Sequence, residues 1–152
     1  MVLWLDADLS MPTLKIPELL DAIDENDICI GSRYIINGKD DRGLWLHGKL
    51  SSYLNKMCKL WLSNKVNDWT SGFICSKKHV FNNITINGDY GEYCIDFIYR
   101  AILLNYRIKE IPYICINRVS GISKTATSFL EFIMTGRKYL YTIFRSKFIR
   151  IK

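Results

Sequence analysis

Val2-Leu3-Trp4-Leu5-Asp6-Ala7-Asp8-Leu9-Ser10 runs from apolar residues straight into two carboxylates one residue apart. Central strands of parallel sheets are continuous apolar runs, and open α/β sheets bind ligands beyond the C-terminal ends of such strands. Two carboxylates this close repel unless protons or a cation sit between them. Oxygen donors suit Mg²⁺ or Mn²⁺, which bridge a few carboxylates and the phosphates of a substrate. The stretch therefore reads as a buried strand ending in a divalent-metal site for a diphosphate, built on Asp6 and Asp8. It also reads as an ordinary strand-ending turn in which Asp8 or Ser10 caps the next helix.

Downstream, the pattern alternates. Leu14, Ile16, Leu19, Leu20 and Ile23 have helical spacing, with Pro17 near the first turn. Residues 27–31 (DICIG) form a short buried strand, so the opening is strand, helix, strand, joined by a right-handed crossover. Residues 37–43 (NGKDDRG) read as a mobile loop, and 45–62 as an amphipathic helix with Lys49 off its apolar face. A polar turn at 67–72 (NDWTSG) precedes a strand at 73–75, a helix at 92–104 and a strand at 107–117, where Pro112 marks an edge or a bulge. Residues 118–124 (RVSGISK) combine glycine, serines and cations, a composition able to wrap a phosphate. A last helix at 127–148 puts Phe129, Phe132, Ile133, Leu140, Ile143 and Phe144 on one side.

Composition sets the class. A chain of 152 residues with 49% hydrophobic content buries a real core, and no apolar run is long enough to cross a membrane as a helix. Cys29, Cys58, Cys75, Cys94 and Cys115 are dispersed and form no CxxC pair, which excludes a zinc ribbon and fits reduced, buried thiols. His47 and His79 stand alone and read as surface or packing residues. Lys and Arg balance Asp and Glu at 14 each over residues 1–123, against 7 to 1 over 124–152, so the whole +6 excess lies in the tail. A basic amphipathic tail points to a membrane surface, or to packing on the core; no nucleic-acid module accompanies it.

Five segments in register resemble the family 2 glycosyltransferases, in particular the polyprenyl-phosphate branch that includes the dolichyl-phosphate mannose synthases. They are Asp6-Ala7-Asp8-Leu9-Ser10, Ile30-Gly31-Ser32-Arg33-Tyr34, Asp68-Trp69-Thr70-Ser71-Gly72-Phe73, Tyr90-Gly91 with Asp96, and Arg118-x-x-Gly121-x-Ser123-Lys124. The resemblance implies an α/β fold: a partial GT-A (Rossmann-like, nucleotide-diphospho-sugar transferase) domain over residues 1–124, with a basic, membrane-proximal amphipathic helix over 125–152.

It further implies a hexosyltransferase that moves mannose or glucose from a nucleotide-diphosphate sugar to a polyprenyl or dolichyl phosphate, with inversion and with Mg²⁺ or Mn²⁺. Asp6, Asp8 and Asp68 become the expected catalytic residues, and Asp6, Asp8 and Ser10 the metal ligands, Ser10 standing where many relatives carry glutamine. Arg33, Lys49, Arg118, Ser123 and Lys124 become the acceptor-phosphate residues. A phosphate nucleophile is already anionic and needs positioning rather than a strong base, consistent with the absence of a Ser-His or Cys-His pairing. The expected setting is the cytoplasmic face of a membrane. Met1 stands one strand before the Asp pair, so the strand-helix-strand that binds the nucleotide base is expected from a truncated frame's missing part or from a complementary chain, and the sheet edge left exposed is expected to seek a partner, a homo-oligomer among the possibilities. The alternatives are a saccharide acceptor, which needs Asp68 or Asp96 as general base, and a non-catalytic membrane- or partner-binding remnant.

Overall fold

The computed structural model describes residues 1–42, 45–88, 90–117 and 129–149, and side chains throughout these except at 45–47 and 129–135. Four strands form the main sheet: β1 (Val2–Trp4), β2 (Ile28–Ser32), β4 (Ile74–Ser76) and β5 (Ile108–Pro112), in the order β1-β4-β2-β5. A second, two-stranded sheet pairs β3 (Lys39–Asp41) with β6 (Ile114–Ile116) in parallel. The helices are α1 (Ile16–Ala22), α2 (Trp45–Trp61), α3 (Tyr93–Leu103) and α4 (Phe129–Lys147), with 3₁₀ turns at Thr13–Lys15 and Lys78–Asn82.

β2 is buried along its whole length, as its Ile-Cys-Ile-Gly-Ser sequence requires. It pairs parallel with β5 and antiparallel with β4. Because β4 is also antiparallel to β1, β1 and β2 run the same way without touching. The expected crossover through α1 therefore spans two strands that flank a third.

Side-chain alternation sorts the core into two layers. Ile28, Ile30 and Ile74 face α2 and α3, meeting Leu54, Cys58, Ile95 and Ile98. Cys29, Phe73 and Cys75 face the other way, meeting Leu19 and Ile23 on the α1 side together with Tyr113 and Cys115. Eight of the eleven α3 residues are buried, since α4 covers the side that the sheet leaves open. Gly31 is obligatory here: a Cβ would lie 2.7 Å from Phe73 Cδ1.

Four expectations are corrected. The opening stretch is not a buried strand of a parallel sheet: β1 lies at the sheet edge, partly exposed and antiparallel to β4. Residues 39–41 are strand rather than mobile loop, because Lys39 N–H donates to Tyr113 O (3.0 Å) and starts the pairing with β6. The strand expected over 107–117 breaks at buried Tyr113, after Pro112, which ends an edge strand with no ladder N–H to offer. The apolar side assigned to the last helix is split: Ile143 is buried between α4 and the core, whereas Phe144 is exposed and packs edge-on against Trp61 of α2 (5.6 Å). The dispersed cysteines are all free and buried, as expected.

Candidate functional site

The Asp pair sits in the turn that follows β1. Ser10 N–H donates to Asp8 Oδ1 (3.0 Å), and Leu9 takes a left-handed φ of 60°. The expectation that Asp8 or Ser10 caps the next helix is corrected: Asp8 closes its own turn, and the 3₁₀ turn and α1 that follow have Pro12 and Lys15 at their N-cap positions, with no side-chain cap. The turn is tied across the molecule: Ser10 O accepts Ile116 N–H of β6 (3.1 Å), two residues before Arg118. Gly72 borders Asp6, and a Cβ there would stand 3.6 Å from Asp6 Oδ1 and fill the space beside the carboxylate.

Beneath this turn lies a buried ionic network. Arg33, just past β2, gives its Nε–H and one Nη2–H to Asp68 (2.8 Å each), and its backbone N–H joins them (3.0 Å). Its Nη2 also donates to Thr70 Oγ1 (2.9 Å), and its Nη1 lies 3.4 Å from Asp40. The Arg33 and Asp68 side chains are 4% and 0% exposed. Burial works against the guanidinium, but the adjoining Asp68 carboxylate outweighs it and holds the Arg33 pKa well above its ordinary value. Asp40 binds Arg42 through both carboxylate oxygens. Burial alone would raise the Asp40 pKa, yet Arg42 and Arg33 hold it below the usual carboxylate range.

The polar turn at 67–72 is clamped from two sides. Glu110 of β5 accepts Asn67 N–H (3.0 Å), Asn67 Nδ2 (2.8 Å) and Asp68 N–H (2.9 Å). From α2, Asn55 Oδ1 accepts Trp69 N–H (2.5 Å), and its Nδ2 donates to Thr70 Oγ1 (3.0 Å). Neither clamp is readable from sequence, because the partners lie 14 to 43 residues apart and carry no motif of their own.

A separate cleft of about 260 Å³ opens between α3 and α4, lined by Asn87, Glu92, Asp96, Lys138, Thr142 and Arg145 among others. Among the described residues, Glu92 Oε2 and Asp96 Oδ1 are buried there without a hydrogen-bond partner. Asp96 is otherwise tied to Arg100 (2.8 Å), and Arg145 approaches it at 3.7 Å.

Of the expected site residues, the fold gathers Asp6, Asp8 and Ser10 into one turn, and Arg33 with Asp68 into one ion pair. Lys49 lies on the exposed side of α2. Arg118, Ser123 and Lys124 lie outside the described residues. Among the described residues, no group of three or more His, Cys, Asp or Glu side chains is gathered for a metal. The paired carboxylates and the open space that Gly72 leaves beside Asp6 fit an ion of the Mg²⁺ type, which takes one or two protein carboxylates and completes its shell with phosphates and water.

Comparison with known proteins completes the description. Residues 1–85 match the family described as Glycosyl transferase family 2. The chain is 32% identical over 128 residues to the polyprenol monophosphomannose synthase of Mycolicibacterium smegmatis, covering 82% of this chain and 48% of that protein. It is 28% identical over 123 residues to the dolichol-phosphate mannosyltransferase of Pyrococcus furiosus, covering 79% of this chain and 34% of that protein. It thus spans about half of the one relative and about a third of the other.

Proposed function

This chain belongs to glycosyltransferase family 2, and from that membership we propose that it serves the transfer of a hexose, mannose before glucose, from a nucleotide diphosphate to a polyprenyl phosphate. The observation that carries the proposal is the tie between the Asp6–Asp8 turn and β6, the strand leading toward Arg118. It joins the turn proposed to hold the donor to the end of β6. The names of both relatives, a monophosphomannose synthase and a phosphate mannosyltransferase, favour mannose and a lipid phosphate.

In this reading Asp6 and Asp8 hold Mg²⁺ or Mn²⁺, with Ser10 bracing the turn, and the ion when bound acts as a Lewis acid toward the leaving diphosphate. The acceptor phosphate attacks the anomeric carbon in line, inverting it. Arg118, Ser123 and Lys124 bind that phosphate, with Lys49 adding positive potential, while the buried Arg33, paired with Asp68, holds the backbone at the end of β2. Asp68 takes no proton in this scheme; it keeps Arg33 charged and in place.

The setting is a membrane surface at the cytoplasmic face. No helix among the described residues is long and apolar enough to cross a bilayer. Leu60 (88% exposed), Trp61, Tyr141, Phe144 and Phe148 (79% exposed) project from α2 and α4 beside Arg145 and Lys147, a composition suited to the headgroup region.

A saccharide acceptor is the second reading, favoured by the buried Asp96 carboxylate lining the α3–α4 cleft, whose Oδ1 faces Arg145 at 3.7 Å and accepts no hydrogen bond among the described residues. Acceptors separate the two. The intact natural protein, given nucleotide-linked mannose and Mn²⁺, is expected to glycosylate polyprenyl phosphate and to leave soluble oligosaccharides unmodified. Product on the oligosaccharide that disappears in Asp96→Asn would establish the second reading instead. Binding to anionic vesicles with no affinity for nucleotide sugars would reduce the protein to a membrane-binding module.

A further inference from the structure

Glu110 projects from the edge strand β5, which among the described residues pairs only with β2. One carboxylate oxygen takes two donors from Asn67 and the other takes Asp68 N–H. Three hydrogen bonds to one ionised group are of the charge-assisted kind, stronger and more directional than neutral ones. Lys59 of α2 holds the far side of the same Asn67 through Oδ1 (2.7 Å).

Asp68, held next to Asn67 by its backbone N–H, is the residue whose own carboxylate grips Arg33. From Glu110 the chain of contacts runs to the Asp68 backbone, then through the Asp68 carboxylate to Nε and Nη2 of Arg33. Two residues beyond Thr70, the same turn ends at Gly72, the neighbour of Asp6. A carboxylate outside the cleft thereby sets the placement of a buried guanidinium and of the wall beside the Asp pair.

We propose that Glu110 is a positioning residue: it locks the turn at 67–72 so that Asp68 holds the buried Arg33 in place just past the end of β2, the side on which the acceptor reading puts the phosphate. The role rests on the acceptor reading above, and it makes the Arg33 position depend on a residue that Arg33 does not touch. Glu110→Gln keeps the shape but puts an amide where an N–H must be accepted. Glu110→Asp keeps the charge and loses reach.

A fold-wide effect is separated by a control. Asp27 Oδ2 accepts Arg107 N–H (2.9 Å) just before β5, another carboxylate holding a backbone N–H at the same edge but away from the Asp pair. Asp27→Asn is expected to lower stability and leave the acceptor response alone.

Two measurements test the proposal in the full chain. The first follows the Arg33 Nε–H resonance in ¹H–¹⁵N spectra. It should exchange slowly in the parent and in Asp27→Asn, and shift or exchange rapidly in Glu110→Gln and, less so, in Glu110→Asp. The second is steady-state transfer by the intact natural protein. Glu110→Gln should raise KM for polyprenyl phosphate about tenfold with the KM for the nucleotide sugar within about twofold. An unmoved Arg33 resonance in both Glu110 variants, or equal changes in both KM values, would overturn the role. Failure of the parent to use polyprenyl phosphate would sink the acceptor reading, whereas the resonance test would still report on the clamp.

Discussion

At the scale of single residues, the decisive pair is Arg33 and Asp68. Each is almost fully buried, and each satisfies the other through paired short hydrogen bonds. Removing one partner of a buried ion pair leaves an uncompensated charge, which costs on the order of 3–5 kcal/mol. Asp68→Asn is therefore expected to lower unfolding free energy by about that amount in urea titration, several times the effect of breaking the exposed Lys15–Glu18 pair. Both residues stand out in the sequence inside quotable motifs, yet their pairing does not. A guanidinium near a phosphate site reads as a ligand until the structure reveals a carboxylate beside it. The Asp6-x-Asp8 turn stood out as an apolar strand ending in acids, but the same residues also read as an ordinary strand-ending turn, and the run by itself does not choose between the two. Glu110 was not legible, since its function depends on a turn 42 residues upstream that only tertiary pairing brings near.

At the scale of elements, periodicity located each helix and four of the strands to within a few residues, because each long element has one strongly apolar side. It missed β3, whose Lys-Asp-Asp sequence has no strand preference and pairs only because Tyr113 offers a carbonyl to Lys39. It also placed Phe144 with Ile143, although adjacent helical residues point about 100° apart. That difference matters, since Phe144 and Trp61 form an exposed aromatic pair between α2 and α4. In flotation with anionic vesicles, Trp61→Ala with Phe144→Ala is expected to weaken binding about tenfold, and raised salt should weaken the parent further. Equal binding by parent and double variant would place the membrane contact elsewhere.

At the scale of the whole molecule, the sheet separates two cores while its edge gathers the polar chemistry. All five thiols lie inside those cores. Burial pushes Cys58 and Cys94 up to about 12, and burial together with Cys75 pushes Cys29 up to about 11. These groups stay neutral in the folded state after the unfolded chain has begun to ionise near pH 8.5. Their contribution to stability is therefore complete below that pH and is lost progressively up to about pH 12. Denaturation midpoints should fall across that interval, and the native thiols should resist alkylation at pH 8 until denaturant is added.

The fold class and the family could be read because each rests on local runs of residues. The clamps that orient Arg33 rest on contacts between runs. The claim on which the functional account stands is that Asp6 and Asp8 together hold the cation that carries the donor diphosphate. The direct measurement is Mn²⁺-dependent transfer of labelled mannose to polyprenyl phosphate by the intact natural protein, with donors of several nucleotides, beside Asp6→Asn and Asp8→Asn. Losing one carboxylate from such a site is expected to cut turnover at least a hundredfold in each variant while leaving the fold intact. Metal-dependent turnover undiminished in both variants would contradict it.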